Sequence, residues 1–143
     1  MTGTDELTGA LARIAQHHGL AEIYVFGSRA EDFTSEAGRL ASPVAGSADV
    51  DIAVRPARGR QLAPEDRVEL TLALERALGV SRVDLVVLTD AGAFLALGAI
   101  RGNLLFCADP VDQAEYELYV LRRAGDLAPF ERERQRIVLS GGR

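Results

Sequence analysis

Ile23-Tyr24-Val25-Phe26-Gly27-Ser28-Arg29-Ala30 runs β-branched and aromatic residues into an abrupt glycine–serine pair, the pattern of a strand that ends in a tight turn. Two other segments share this strand character. Across 48–54, Val50, Ile52 and Val54 alternate with Asp49, Asp51 and Ala53, so the two aspartates share the face opposite the apolar one. Across 83–88, Val-Asp-Leu-Val-Val-Leu puts Asp84 on the strand face of Val86 and Leu88, where a carboxylate is costly without a partner.

Working outward, Leu7, Ala10, Leu11, Ile14 and Ala15 recur at three- and four-residue steps between Asp5 and His18, and Gly19 follows as a stop, so an amphipathic helix precedes the first strand. His17 and His18 fall on its last turn. Adjacent helical residues project about 100° apart, so the two are not expected to serve one site, and each reads as a solvated histidine favoured by the helix dipole. Residues 33–46, with Gly38, Pro43 and Gly46, lack periodicity and read as a long loop. Pro64, Glu65 and Asp66 open a second helix, lined on one side by Val68, Leu72, Glu75 and Leu78 and ended by Gly79. Asp90 is positioned to cap a short apolar helix over 91–100, Gly102 closes it, and 104–107 is a fourth strand in which Cys107 packs. After Pro110 a helix runs to about 124, with Glu115, Leu118, Leu121 and Arg122 at helical steps, and Pro129 starts another that reaches about 139. No repeat, low-complexity segment or internal boundary interrupts this order, so one domain over 1–143 is expected.

Composition narrows the chemistry. The chain has 143 residues, 48% hydrophobic and 26% charged, the balance of a soluble protein with one core. Its 21 acidic against 16 basic residues give a formal charge of -5, which disfavours a general coat for DNA or RNA. Every basic residue is arginine, so lysine Schiff bases, catalytic lysines and the P-loop lysine are excluded. Cys107 is the only cysteine and His17 and His18 the only histidines, which leaves no internal disulfide and no Cys/His structural zinc set; a reducing cytoplasm is the expected compartment. No run of about 18 apolar residues and no basic-then-apolar leader supports membrane insertion or secretion.

Gly27-Ser28-Arg29, the Asp49/Asp51 pair and Asp84 therefore all lie at the ends of strands located independently by their apolar pattern. Carboxylates two residues apart on a strand are about 7 Å apart, close enough that their repulsion favours a bound cation. All-oxygen ligands suit Mg²⁺ or Mn²⁺, and Mg²⁺ usually shares its shell with substrate phosphates. Asp84 completes a two-metal site if its strand neighbours that of Asp49 and Asp51. Gly27 lets backbone N–H groups approach a phosphate, and the Ser28 hydroxyl can donate to the same group. Arg29 reads equally as a phosphate fork or as a solvated, ion-paired residue. Taken singly, each feature is also an ordinary turn or solvated face; it is their joint occurrence that marks a shared site.

These motifs, Phe26-Gly27-Ser28-Arg29-Ala30, Asp49-Val50-Asp51 and Val83-Asp84-Leu85-Val86, resemble those of the polymerase β-type nucleotidyltransferase superfamily, and most closely its minimal MNT members. The likeness covers most of the chain, more weakly in the tail from Leu104 to Leu139 with its Asp109-Pro110. The resemblance implies an α/β (α+β) fold in which a mixed β-sheet is flanked by helices, with C-terminal helices. It also implies transfer of a nucleoside monophosphate to an acceptor hydroxyl with release of pyrophosphate, using two Mg²⁺ ions, with Mn²⁺ as the alternative. Gly27 and Ser28, with Arg29, would then hold the triphosphate, Asp49 and Asp51 would ligate both metals, and Asp84 would ligate one and help deprotonate the acceptor. Many minimal members resemble antitoxins that silence a HEPN ribonuclease toxin, encoded by a neighbouring gene, by moving AMP from ATP to a tyrosine. A hetero-oligomeric, AMPylating antitoxin is the leading expectation. Against the family pattern, residues 33–46 look like an insertion, Ala48 separates Ser47 from Asp49, and Glu31-Asp32 replaces a frequent Arg-Gly. A non-catalytic antitoxin that neutralises its partner by docking is the main alternative. Antibiotic nucleotidylation needs an acceptor pocket for which little chain is left unless a dimer supplies it. Polymerisation on nucleic acid conflicts with the acidic charge.

Overall fold

The computed structural model describes residues 3–28, 30, 35–36, 39–40 and 49–141. Its elements, in chain order, are α1 (Gly3–His18), β1 (Leu20–Phe26), β2 (Ser35–Glu36), β3 (Arg39–Leu40), β4 (Val50–Pro56) and α2 (Pro64–Leu78). They continue with β5 (Val83–Val87), a 3₁₀ turn (Leu88–Asp90), α3 (Ala93–Ile100), β6 (Asn103–Cys107) and α4 (Pro110–Gly141). The main sheet has the order β5-β4-β1-β6; β4 and β5 are parallel and the other pairs antiparallel. This is a mixed α+β sheet with helices on both faces. Apart from Glu22, β1 is apolar or aromatic throughout because it lies inside the sheet and is covered above and below.

The alternation along β4 and β5 assigns one sheet face to each pair of helices. Val50, Ile52, Val54, Val83 and Val87 pack with Ile23 and Val25 under Leu7, Leu11 and Ala15 of α1 and Leu70, Leu74 and Leu78 of α2. Tyr24, Ala53 and Leu88 form a smaller core on the other face with Ala96 and Ala99 of α3 and Val120 of α4. Asp51 and Asp84 therefore project on the side of the smaller core, whereas most of the buried apolar surface lies behind them.

Several expectations are corrected. In α2 the stripe facing the sheet is Leu70, Leu74 and Leu78, while Val68 and Leu72 are exposed. α2 carries apolar residues on two sides, and only the stripe that can reach the sheet is buried. Likewise α4 buries Val120 and Ala124 and leaves Leu118 and Leu121 in solvent. Asp90 does not cap α3, whose N-cap is Gly92; its carboxylate accepts a hydrogen bond from Arg67 instead. The two expected C-terminal helices are one, since α4 runs through Pro129. A proline ring crowds the carbonyl four residues earlier; here that residue is Gly125, the most permissive partner for the backbone adjustment required. Within the expected loop, β2 and β3 pair as a small antiparallel hairpin close to α1. The rest of 33–46 lies outside the described residues, as do Glu31, Asp32, Ser47 and Ala48.

His17 and His18 also depart from expectation. His17 is exposed, but His18 is buried against α2. Burial, then the neighbouring His17, push the His18 pKa below the ordinary histidine value, so the protonated form that a helix C-terminus would favour is opposed.

One buried ionic network ties the sheet to α4. The Arg55 guanidinium donates from Nε to Glu22 Oε1 and from Nη2 to Glu22 Oε2, both at 2.6 Å, and from Nη2 to Asp112 Oδ2 at 2.6 Å. It also lies 4.5 Å above the centre of the Tyr116 ring. Burial opposes the charge on Arg55, yet the hydrogen bonds to Glu22 and Asp112 hold its pKa above the usual arginine range. Beside it, the buried Tyr24 hydroxyl donates to Glu117 Oε2 at 2.8 Å. Asp109 accepts from the Val111 N–H at 3.0 Å and starts α4 ahead of Pro110. Glu22 is wholly buried, so removing its charge leaves the half-buried Arg55 with Asp112 as its remaining carboxylate in this network. Glu22→Gln is expected to cost about 3–5 kcal/mol in urea denaturation. The double variant Glu22→Gln/Arg55→Met should lose clearly less than the sum of the single losses; strict additivity would show that the two side chains are not coupled.

Candidate functional site

Three carboxylates converge at one end of the sheet because of the register between β4 and β5. Asp51 and Asp84 are direct partners across the parallel pair, and Asp49 precedes Asp51 by two residues on the same face. The condition set by the sequence, that the two strands be neighbours, is met. Arg82, which sequence reasoning passed over, bridges the outer two: its Nε lies 3.5 Å from Asp49 Oδ2 and 3.4 Å from Asp84 Oδ1. Among the described residues no cationic side chain forms an ion pair with Asp51. Burial, followed by the charges of Asp84 and then Asp49, pushes the Asp51 pKa above the ordinary aspartate value.

The Gly-Ser turn closes the other side. β1 pairs with β4 so that Phe26 faces Asp51, which brings the next residue, Gly27, against the aspartate side chain. Gly27 has φ +79°, and a Cβ there would collide with the Asp51 carboxylate. Position 27 is thus restricted to glycine by backbone conformation and by space together. Ser28 follows, exposed, in a single 3₁₀ turn. Arg29 lies outside the described residues.

Sequence reasoning missed the supporting roles of two residues. Asn103 Nδ2 donates to the Ala30 carbonyl at 2.7 Å and ties the Gly-Ser turn to β6. Glu75 Oε2 accepts the Val83 N–H at 3.0 Å and fixes the start of β5, one residue before Asp84. The signal for both was only a polar residue in an otherwise packed neighbourhood.

A hard, all-oxygen donor set with an uncompensated charge suits a divalent cation such as Mg²⁺, and the raised pKa of Asp51 is the observation in favour of that fit. The exposed Ser28 and the left-handed Gly27 leave backbone and hydroxyl donors free to meet an anionic group beside it. The carboxylate cluster and these donors thus lie side by side.

The polymerase beta nucleotidyltransferase family profile matches residues 10–111, which contain the Gly-Ser turn and all three aspartates. Comparison with curated proteins finds no match. Among solved structures, a toxin–antitoxin with AMP-PNP is similar at TM-score 0.64 and 24% identity, over 95% of this chain and 98% of that one. A complex of a tri-AMPylated Shewanella oneidensis HEPN toxin with an MNT antitoxin is similar at TM-score 0.62 and 24% identity, over 98% and 99%. A variant of an MntA toxin–antitoxin complex is similar at TM-score 0.61 and 25% identity, over 94% and 97%.

Repulsion at Asp51 has a defined pH dependence. With its folded pKa raised, the native state keeps a proton that the unfolded state has released, so stability falls as pH rises through that window and stays reduced above it. In chelator, Asp51→Asn should raise the melting temperature at neutral pH by a few degrees and make no gain below the ordinary aspartate pKa of about 3.9. Equal melting temperatures of parent and variant at neutral pH would contradict the repulsion. Gly27→Ala should cost at least about 1–2 kcal/mol from the left-handed backbone alone. In a Mn²⁺ titration followed by electron paramagnetic resonance it should also bind the ion at least about tenfold more weakly, because Asp51 must move aside; unchanged binding would show that Gly27 does not position that carboxylate.

Proposed function

Because the chain belongs to the polymerase β nucleotidyltransferase family, we propose that it is a Mg²⁺-dependent protein adenylyltransferase, the antitoxin of a pair, that transfers AMP from ATP to a tyrosine hydroxyl of a HEPN ribonuclease toxin. The juxtaposition of Asp49, Asp51 and Asp84 beside the Gly27-Ser28 turn carries this reading. Asp49 and Asp51 would hold two Mg²⁺ ions between them, and Asp84 would share one. When bound, the ions supply neutralisation of the triphosphate and of the charge that develops during transfer. Ser28 and the backbone after Gly27 orient the β- and γ-phosphates. The acceptor oxygen then bonds to the α-phosphorus, the α–β phosphoanhydride bond breaks, pyrophosphate leaves, and the hydroxyl proton passes to Asp84.

Complexes of MNT antitoxins with HEPN toxins supply the likeness for the partner. A protein acceptor also suits this surface. α4, at 1.5 Å per residue, is about 48 Å long, and beyond Ala124 it exposes Leu127, Phe130 and Ile137 among charged residues. Phe130 is 73% exposed, far more than a solitary surface helix requires.

That same ridge favours the second reading, neutralisation by docking alone. Co-expression with the product of the neighbouring gene, followed by intact-mass measurement of that partner, separates the two. Wild type should leave the partner heavier by one or more AMP groups, and Asp49→Asn/Asp51→Asn should lower the modified fraction at least about 10²–10³-fold, the scale on which loss of a preorganised electrostatic group acts. An unmodified partner inhibited equally by both forms would overturn the enzymatic reading and establish docking.

A further inference from the structure

A second set of metal-ligating side chains lies on the sheet face opposite the aspartates, where the last turn of α1 meets the second turn of α2. One donor atom from each of His17, His18 and Glu69 lies within 4.8 Å of the others. His17 Nε2 is 3.4 Å from Glu69 Oε1, and the two imidazoles meet edge to face with centres 4.7 Å apart. Adjacent helical residues should diverge by about 100°. Their long side chains nonetheless meet in the last turn of α1, just before Gly19 at φ +67°: His18 is buried, while the exposed His17 reaches Glu69 of α2.

The ligands of a tetrahedral zinc ion, at 2.0–2.1 Å, are about 3.3–3.5 Å from one another. The His17–Glu69 separation already has that value, so only side-chain adjustment is needed. A cleft of about 110 Å³ opens beside the histidines, and Asp66, one turn before Glu69 on the same face of α2, lines it. Arg60 is the cation in this cleft, with its guanidinium against Gly19; Asp66 and Glu69 together outweigh it. Nitrogen donors exclude Mg²⁺ and Ca²⁺ as the natural occupant, and a His₂–carboxylate set without thiolate leaves zinc a fourth position for water.

We propose that His17, His18 and Glu69 form a zinc site that fastens the C-terminal turn of α1 to α2, independent of the carboxylate cluster and of the chemistry assigned to it. The test uses the full chain carrying Asp49→Asn/Asp84→Asn, in excess Mg²⁺, titrated with Co²⁺ as a spectroscopic stand-in and then with Zn²⁺. One Co²⁺ per chain should bind with the visible absorption of a four- or five-coordinate ion, Zn²⁺ should displace it, and Zn²⁺ should raise the melting temperature. His17→Ala and Glu69→Gln, both at exposed positions and so expected to fold, should each weaken binding at least about 100-fold and abolish the thermal shift. Circular dichroism identical to the parent verifies that they are folded. Failure of the folded parent to bind Zn²⁺, or affinity unchanged in both folded variants, would overturn the site, and neither result bears on nucleotidyl transfer.

Discussion

Mutual repulsion among Asp49, Asp51 and Asp84 is the constraint around which the rest of the molecule is arranged. In-register pairing of β4 with β5 forces Asp51 and Asp84 side by side, and the strand period adds Asp49 to the same face. Among the described residues, nothing in the smaller core offsets this. The stabilisation comes from behind, where Val50, Ile52, Val54 and Val83 are buried under α1 and α2, each side chain contributing about 1.5–3 kcal/mol. Arg82 partly screens the outer two carboxylates. Its carbonyl accepts the Val50 N–H at 3.1 Å, so the residue that screens the charges also locks the strands that create them.

Continuity between the site and α4 comes from polar groups as well as from the apolar packing of Val120. The smaller core is thin, and it is supplemented by the Glu22–Arg55–Asp112 clamp and the Tyr24–Glu117 hydrogen bond. Arg55 lies on the strand that carries Asp51, and Asp112 and Glu117 lie on the first turns of the helix that exposes Phe130. A partner seated on the far end of α4 would therefore be held by a lever whose root is pinned to the strand that carries Asp51. Burial pushes the Tyr116 phenol up to about 12, against the pull of Arg55, so the ring remains a neutral platform in this clamp.

The sheet and the three aspartates were legible because strand alternation is a short-range signal: Val50, Ile52 and Val54 can have only one partner face, and that decides where Asp49 and Asp51 point. What escaped was whatever depends on which of two usable surfaces meets a neighbour. α2 offers Val68 and Leu72 as well as Leu70 and Leu74, and periodicity alone does not choose between them. Asp90 has the chemistry of a cap, but Arg67, distant in sequence, takes its carboxylate. Ideal helical projection separates His17 and His18, but it follows the backbone and does not register how far two imidazoles can swing toward one neighbour, Glu69. Pro129 signalled a break that Gly125 absorbs. Asn103 and Glu75 act through single long-range hydrogen bonds that leave no pattern in the chain.

The parallel arrangement of β4 and β5 has a consequence for the order in which the protein matures. β1 and β4 are antiparallel neighbours, so a partly folded chain that has made only this pair already holds Gly27, Asp49 and Asp51 together. Asp84 joins them only after the chain has travelled through α2 and returned in the same direction, because parallel neighbours need a crossover. A chain that ends at β4 lacks the third carboxylate, so the three aspartates are together only once the β4–β5 pair is made.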